Sequence, residues 1–197
     1  MAQQYEPRKE RVQQIAQAAL ELIAESGLRS FTTKAIAKKV GITDGTIFRH
    51  FKNKEEIVLA AMDLLENTMF SEAFPEDGEP LPRLEAFFRK RAMLLGEQAS
   101  MGRLLFSEQL SHAAGEEGAA KLKSWRMRNM NFVSQCLREL HELPDWPEGL
   151  EVQDVAIVLQ GVLLTFAFER SMAVVSAVDL EKRVERSWQT IYRLLQS

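Results

Sequence analysis

The chain has 197 residues, of which 46% are hydrophobic and 27% charged, and its formal net charge is −3. This composition is that of an ordinary globular protein and excludes a disordered tail, and the length allows one large domain or two modest ones. The single cysteine, Cys136, excludes an internal disulfide, and the opening MAQQYEPRKERVQQ lacks a hydrophobic signal region, so we expect a cytoplasmic protein.

The charge is unevenly distributed along the chain. Residues 1–60 contain ten Lys and Arg against seven Asp and Glu, whereas the remainder contains fifteen against twenty-one. A protein that binds nucleic acid needs cations only at the surface that contacts phosphate. A basic first part therefore suits such a partner, and random scatter of charge is the alternative.

The first predicted element is a helix from Pro7 to Ser26, which Gly27 ends. Its apolar residues recur at i, i+3, i+4 and i+7 and form one stripe: Val12, Ile15, Ala16, Ala19, Leu22 and Ile23. Leu28 and Phe31 follow, and we expect them to cap a small three-helix core.

The stretch Thr32–Glu56 predicts two short helices joined by a tight turn, and then the start of another helix. In the first short helix, three apolar residues recur at helical spacing: Ile36, Ala37 and Val40. Gly41 follows at a place where a chain leaving a helix often needs positive φ, which glycine adopts without a Cβ penalty.

The second short helix is predicted to begin at Thr43, a suitable N-cap. Ile47 and Phe51 lie four residues apart on one face and can pack on the first helix. The opposite face is left outside and carries Asp44, Gly45, Thr46, Phe48, Arg49 and His50. This arrangement is typical of a helix-turn-helix, whose second helix enters the major groove.

The whole run TTKAIAKKVGITDGTIFRHFKNKEEIV resembles the DNA-binding motif of the TetR family of bacterial transcriptional regulators. A Thr pair, an Ala-x-x-x-Gly turn, a Gly-Thr-Ile-Phe-x-His-Phe segment and an Asn-Lys-Glu-Glu helix start all fall at the family spacing. The resemblance extends as far as residue 65, and beyond it only helical length and order match. In the family a basic arm often precedes the motif; Arg8, Lys9 and Arg11 are either such an arm or solvated surface charge.

Two helix starts are expected to contact phosphate, because the first N–H groups of a helix are unsatisfied and its dipole is positive there. Thr32 or Thr33 caps the first helix, and the resemblance implies that Thr33 donates to a phosphate. Asn53 and Glu56 form a capping box. The resemblance further implies that Lys54 points its ammonium at a phosphate.

Base recognition is expected from the second short helix. Arg49 is the predicted reader, because a guanidinium can donate two hydrogen bonds to guanine. Gly45 permits close approach, and Asp44 either accepts from cytosine or favours the helix dipole. The resemblance implies phosphate contacts for Thr46 and His50. The full predicted DNA-binding set is Thr33, Thr43, Asp44, Gly45, Thr46, Phe48, Arg49, His50 and Lys54; the family usually has Tyr in place of Phe48, so one phosphate hydrogen bond is absent.

The rest of the chain is predicted to be helical without strands. Ile57 to Phe70 continues a helix, and PEDGEPLP at residues 75–82 ends it. Further helices are predicted at residues 82–98, 101–112, 118–142, 151–175 and 179–195. The protein is thus predicted to be all-α with about nine helices, as is typical of the family. Its predicted domains are a helix-turn-helix domain (1–56), a connecting helix (57–74) and a helical ligand-binding and dimerisation domain (75–197).

The segment VAIVLQGVLLTFAF, residues 155–168, is too short to span a membrane, which needs about 20 apolar residues. A helix that is apolar nearly all round must be covered on both sides. We expect one side to face the core and the other to face the same helix of a second copy. The last helix would complete a four-helix homodimer interface through Leu180, Val184, Trp188, Ile191 and Leu195.

The resemblance also implies a pocket in the second domain for an unknown small-molecule effector. The candidate lining residues are Phe87, Met101, Leu105, Phe106, Glu108, His112, Trp125, Met130, Phe166 and Glu169. Methionine and aromatic residues adapt to varied apolar ligands, but they also simply fill cores.

The predicted function is that of a homodimeric repressor that binds a palindromic operator and is released by a small hydrophobic ligand. The alternative is a DNA-binding protein of the same fold whose output is a partner protein. An enzyme is not expected, because the sequence has no Gly-rich phosphate loop and no recognisable nucleophile motif. No cofactor or metal is expected, since His50, His112 and His141 are too dispersed to share an ion.

Overall fold

The computed structural model describes residues 6–70, 74–97, 109–169 and 179–196. Over these ranges the chain forms eight α-helices and one short 3-10 helix, and no strand, which confirms the all-α prediction. The α-helices are α1 (Glu6–Ser26), α2 (Thr33–Val40), α3 (Asp44–Ile47), α4 (Lys54–Phe70), α5 (Pro80–Glu97), α6 (Gln109–His141), α7 (Val152–Glu169) and α8 (Leu180–Leu194), and the 3-10 helix is Leu28–Ser30.

The boundary between two predicted helices lies inside α6. Gly115 has φ 62° and ψ −154°, so the helix is broken at that residue although hydrogen bonding continues on both sides. The sequence predicted that one helix ends at residue 112 and the next begins at residue 118, and Gly115 lies between these two positions. Most of the preceding predicted helix, residues 101–112, lies outside the described residues, as does the predicted end of α7.

The chain divides into two compact units, which differ from a simple cut along the sequence. The first comprises Met1–Thr68 and Leu104–Ser124, and the second comprises Met69–Arg103 and Trp125–Ser197, in each case as far as residues are described. The predicted three-part division at residues 56 and 74 stays a prediction.

The core of the first unit is built by α1 and the short helices that follow. Ile15, Ala19 and Ile23 of α1 are at most 1% exposed, as the predicted stripe requires. Helix α2 packs on α1. The two helices are also joined by a salt bridge in which the Lys39 ammonium lies 3.0 Å from a carboxylate oxygen of Glu21. The short helices are therefore fixed on a long one that is itself buried along one side.

The second unit is organised around α5, which packs against α7 and α8. The rings of Phe88 and Trp188 lie 5.6 Å apart and both side chains are fully buried. On the surface of this unit Arg89 of α5 pairs with Glu185 of α8, which adds a polar contact beside the apolar one.

One prediction about the last helix is wrong. The stripe Leu180, Val184, Trp188, Ile191 and Leu195 is 1–9% exposed within the single chain, so it is not available to a second copy. The physical reason is that α5 packs against α8, so this amphipathic helix uses its apolar stripe within the chain. The outer side of α7, by contrast, is exposed: Ile157 66%, Val158 43% and Leu164 38%.

Candidate nucleic-acid interface

The turn between α2 and α3 has the conformation that the sequence predicted. Gly41 is left-handed, with φ 76° and ψ 33°, and its N–H donates to the carbonyl of Ala37. The N–H of Ile42 donates to the same carbonyl at 2.9 Å. Because both amides are satisfied at the end of α2, the direction in which the chain enters α3 is fixed.

Helix α2 is capped by the first threonine of the Thr pair. The hydroxyl of Thr32 accepts a hydrogen bond of 3.0 Å from the N–H of Ala35. Thr33 is then the first helical residue and is half-exposed. The sequence left the cap open between these two residues, and the structure assigns it to Thr32, which leaves the Thr33 side chain at the helix start without a capping role.

Helix α3 is shorter than predicted. Only Asp44–Ile47 is α-helical, and the next residues form turns. The N–H groups of Arg49 and His50 donate to carbonyls three residues back, at 3.2 and 2.9 Å, instead of four. The segment nevertheless continues without interruption to Phe51, whose N–H donates to the carbonyl of Ile47 at 3.0 Å.

This segment, residues 44–51, has a buried back and an open front. Ile47 is fully buried and Phe51 is 6% exposed, against Ile36 and Ala37, which are also buried. On the front, Asp44, Gly45 and Arg49 are exposed, and Phe48 is 52% exposed. A large aromatic side chain left in solvent beside a guanidinium is a surface suited to the sugar and base edges of DNA.

The hydroxyls of Thr43 and Thr46 are hydrogen-bonded to each other, at 2.8 Å. Thr43 stands at the N-cap position as predicted, but its side chain accepts no bond from a backbone N–H of α3. The predicted N-cap position of Thr43 is thus confirmed, and its hydroxyl is bonded to the hydroxyl of Thr46 instead of to the backbone. Both hydroxyls remain at the edge of the front surface.

His50 lies at the end of the segment beside the cations of α1. Its ring is half-buried, and its Nδ1 atom is buried with no hydrogen-bond partner. Burial lowers the pKa of the imidazole, and the positive charges of Arg8, Arg11 and Arg49 lower it further. The structure therefore brings the basic start of α1 and the recognition segment to one place, which the sequence alone did not establish.

The start of α4 carries the last predicted DNA contact. Asn53 caps the helix through its side-chain oxygen, which accepts from the N–H of Glu56 at 2.8 Å. The Glu56 carboxylate accepts from the N–H of Lys52 at 2.7 Å, one residue before the position that a capping box uses. Lys54 is the first residue of α4 and is exposed.

The predicted effector residues are only partly brought together. Phe87, Trp125 and Phe166 are buried, whereas Met130 is 46% exposed and His112 is exposed. Phe87 and Trp125 join one group of rings in the second unit, in which Phe70 and Phe74 lie between them with successive centroids 5.7–6.1 Å apart. Met101, Leu105, Phe106 and Glu108 lie outside the described residues, as does the side chain of Glu169.

Sequence reasoning missed the rings of Phe70 and Phe74. A third residue of this group that it missed is Arg91 of α5. It is 5% exposed and lies over the rings of Phe70 and Phe87. The signal was present in the sequence, since Arg91 is four residues after Phe87 and so shares the apolar face of the helix.

Two further observations concern the described residues as a whole. No three side chains of His, Cys, Asp and Glu among them are grouped closely enough to bind a metal ion. None of the helices, within the same ranges, combines the length and the apolar character that crossing a membrane requires.

A comparison with known protein families gives a match within the first unit. A model of the bacterial regulatory proteins of the tetR family matches residues 15–61. The fatty acid metabolism regulator protein of Bacillus subtilis (strain 168) is 31% identical over 134 residues, which are 68% of this chain and 61% of that protein. The matched part therefore spans less than two thirds of that relative.

Two solved structures resemble nearly the whole chain. The ketosteroid transcriptional regulator KstR2 of Mycobacterium tuberculosis has a TM-score of 0.75 at 17% identity, with 95% of each chain covered. AibR, in complex with isovaleryl coenzyme A and operator DNA, has a TM-score of 0.71 at 18% identity, with 94% of this chain and 98% of that chain covered. These likenesses show a shared fold.

Proposed function

Over residues 15–61 the chain belongs to the tetR family of bacterial regulatory proteins, and we propose from this premise that it is a homodimeric transcriptional repressor. It binds a palindromic operator in the major groove and is released by a small hydrophobic or amphipathic ligand. The observation that carries the proposal is the open front of residues 44–51, with Ile47 and Phe51 held in the core behind it.

The front surface separates two kinds of DNA contact. Arg49 reads a guanine edge, because its guanidinium is exposed beside Gly45, which adds no side chain between backbone and bases. Thr33, Thr43, Thr46, His50 and Lys54 surround this point and contact phosphates, which set the register of the protein on the duplex. Asp44 and Phe48 complete the surface, and Phe48 offers apolar contact to sugar or a thymine methyl group.

The dimer forms through the outer side of α7. Ile157, Val158 and Leu164 lie on one exposed side of the helix, and Gly161 between them leaves open space where a side chain would stand. An apolar helix side of this kind is covered in a soluble protein, and a second copy of α7 is its two-fold partner. Two recognition segments would then lie about 34–36 Å apart, one turn of B-DNA.

The effector binds in the second unit, against the rings around Phe87 and Trp125. AibR was solved with isovaleryl coenzyme A, and the relative from Bacillus subtilis is a fatty acid metabolism regulator. Carried over to this chain as a proposal, these names favour a ligand with an apolar part, which agrees with the aromatic character of the cluster.

The test is selection of bound fragments from genomic DNA by the purified protein, followed by anisotropy titrations on the selected duplex and on a scrambled duplex of equal length. We expect a two-fold symmetric site, bound by two copies, with a steep loss of affinity as salt rises. Failure to bind duplex DNA of any sequence at low ionic strength would overturn the proposal.

A further inference from the structure

Arg91 is a cation buried in the second unit among aromatic rings. Its side chain projects from α5 and is 5% exposed, and the guanidinium carbon lies 5.2 Å from the centre of the Phe70 ring and 5.4 Å from that of Phe87. These cation–π contacts recover part of the free energy that burial of the charge costs. Among the residues that the structure describes, no carboxylate serves as a counter-ion to this charge.

The hydrogen bonds of Arg91 within the described part of the chain reach neutral acceptors. Its two terminal nitrogens donate to the carbonyl of Met69 at 3.2 Å and to the side-chain oxygen of Asn129 at 2.8 Å. Its Nε is buried and has no hydrogen-bond partner in the ranges that the structure describes. No carboxylate in the described ranges is paired with it, and burial lowers the pKa of the guanidinium to about 10.

Arg83, two turns earlier on the same helix, has a different environment. It is 9% exposed and lies 5.7 Å from the centre of the Phe132 ring, but its guanidinium is bonded at 2.7 Å to a carboxylate oxygen of Glu139. The same helix thus carries one buried arginine bonded to an internal anion and one that has no such anion among the described residues. A site that lacks its anion is the expected state of a protein whose ligand supplies it.

We propose that Arg91 binds the anionic head group of the effector, a carboxylate or phosphate attached to an apolar chain. The apolar part lies against Phe70, Phe74, Phe87, Trp125 and Phe132, which form a continuous group of rings around the guanidinium. This inference rests on the proposed effector site and specifies its chemistry. Phe70 and Phe74 are only half-buried, so the group of rings reaches the surface of the unit on that side.

The negative charge of the ligand favours its binding at Arg91. A guanidinium can donate two parallel hydrogen bonds to a carboxylate or phosphate, and charge-assisted bonds are the stronger ones. Since the desolvation of Arg91 is already incurred in the ligand-free protein, an anion gains the Coulomb attraction without burying the cation anew. A neutral ligand of equal length gains the ring contacts alone.

The test is calorimetric titration of the full-length, DNA-free protein with decanoate, decyl phosphate and decan-1-ol, each below its critical micelle concentration. We expect at least one anion to bind about tenfold or more tightly than the alcohol, and the two anions distinguish a carboxylate from a phosphate head group. Equal affinity for all three, preference for the alcohol, or no binding of any of them overturns the proposal. This comparison on the unaltered protein needs no variant.

Two matched variants locate the effect. Arg91→Met should bring the anions to the affinity of the alcohol while the alcohol binds as before. Arg83→Met removes a buried arginine that already has an acid partner, and it should keep the preference for the anion. Because DNA is absent, these results are independent of operator binding: if the unaltered protein binds an operator but shows no preference for the anions over the alcohol, this inference is refuted and the proposed function stands.

Discussion

Gly41 and Gly45 lie four residues apart in the helix-turn-helix, and only the first is required by the protein's own backbone. Gly41 has φ 76°, whereas Gly45 is helical, and a Cβ built on it meets no atom within 4 Å. Folding alone therefore tolerates a side chain at Gly45. The absence of one on the exposed front is better explained by what approaches that surface.

Gly45→Ala should separate DNA binding from stability. A Cβ at this position removes backbone freedom from the unfolded chain, so we expect the free energy of unfolding to stay level or to rise by roughly 0.5–1 kcal/mol. Operator affinity should fall about tenfold or more, because the methyl group enters the space between α3 and the bases. Thermal denaturation and anisotropy on the same preparation measure both quantities.

Gly41→Ala is the matched control. The left-handed conformation costs an L-residue about 1–2 kcal/mol, so this variant should unfold at lower temperature although it has no direct contact with bases. Loss of stability in Gly45→Ala, or unchanged operator affinity in that variant, would contradict the assignment of the front surface.

Arg49 and Lys54 should affect specificity differently. Arg49→Ala should cost about 1–3 kcal/mol on the operator and relax discrimination at one base step of each half-site, since it removes a base contact. Lys54→Ala should weaken all sequences alike and reduce the slope of log affinity against log salt by about 1, since it removes a phosphate contact. Both variants are titrated on the operator, on single-base variants of it and on random duplex. If the two variants lost affinity equally on all of these duplexes, the assignment of Arg49 as the residue that contacts a base would be wrong.

The outer side of α7 should control the oligomeric state. Ile157 is 66% exposed, so Ile157→Glu should leave the helical circular dichroism unchanged but place two like charges at the proposed two-fold axis. We expect the mass by light scattering at micromolar concentration to fall to that of one chain, and operator affinity to fall because each half-site is then bound alone.

Met127→Glu provides the control for that experiment. Met127 of α6 is 47% exposed, so the substitution likewise puts an acid in place of an exposed apolar residue, but on another helix. It should remain a dimer. If it dissociates while Ile157→Glu does not, the interface lies elsewhere.

The helix-turn-helix was predictable because its signals are local. Gly41, the Ile36 and Ile47 packing and the Asn53 cap each follow from residue type at short spacing, and the structure has all of them. The length of α3 was not predictable from the sequence. The same side chains are compatible with α-helical hydrogen bonds to the fourth residue back and with 3-10-type bonds to the third.

The predictions for the second unit that were wrong or incomplete depend on tertiary contacts, which the sequence pattern does not show. The stripe that ends in Leu195 has the periodicity of any amphipathic helix, and periodicity does not say whether its partner is α5 or a second chain. Likewise the spacing from Phe87 put Arg91 on the apolar face of α5 but did not show which residues surround it. Its burial depends on the rings of Phe70 and Phe87, which come from two different helices.

The last prediction concerns the pH dependence of stability through His50. The pKa of its imidazole is lowered in the folded protein by burial and by Arg8, Arg11 and Arg49, from an ordinary value of 6.5. The unfolded chain therefore takes up the proton first as the pH falls, and the free energy of unfolding decreases below pH 6.5 until the folded pKa is passed. His50→Gln removes this difference, so its melting temperature should fall less than that of the unaltered protein between pH 8 and pH 5, the range in which histidine titrates. His141→Gln keeps His50 and should retain the original dependence of melting temperature on pH. Equal dependence in His50→Gln and in the unaltered protein would show that burial and the cationic neighbours do not lower the pKa of His50.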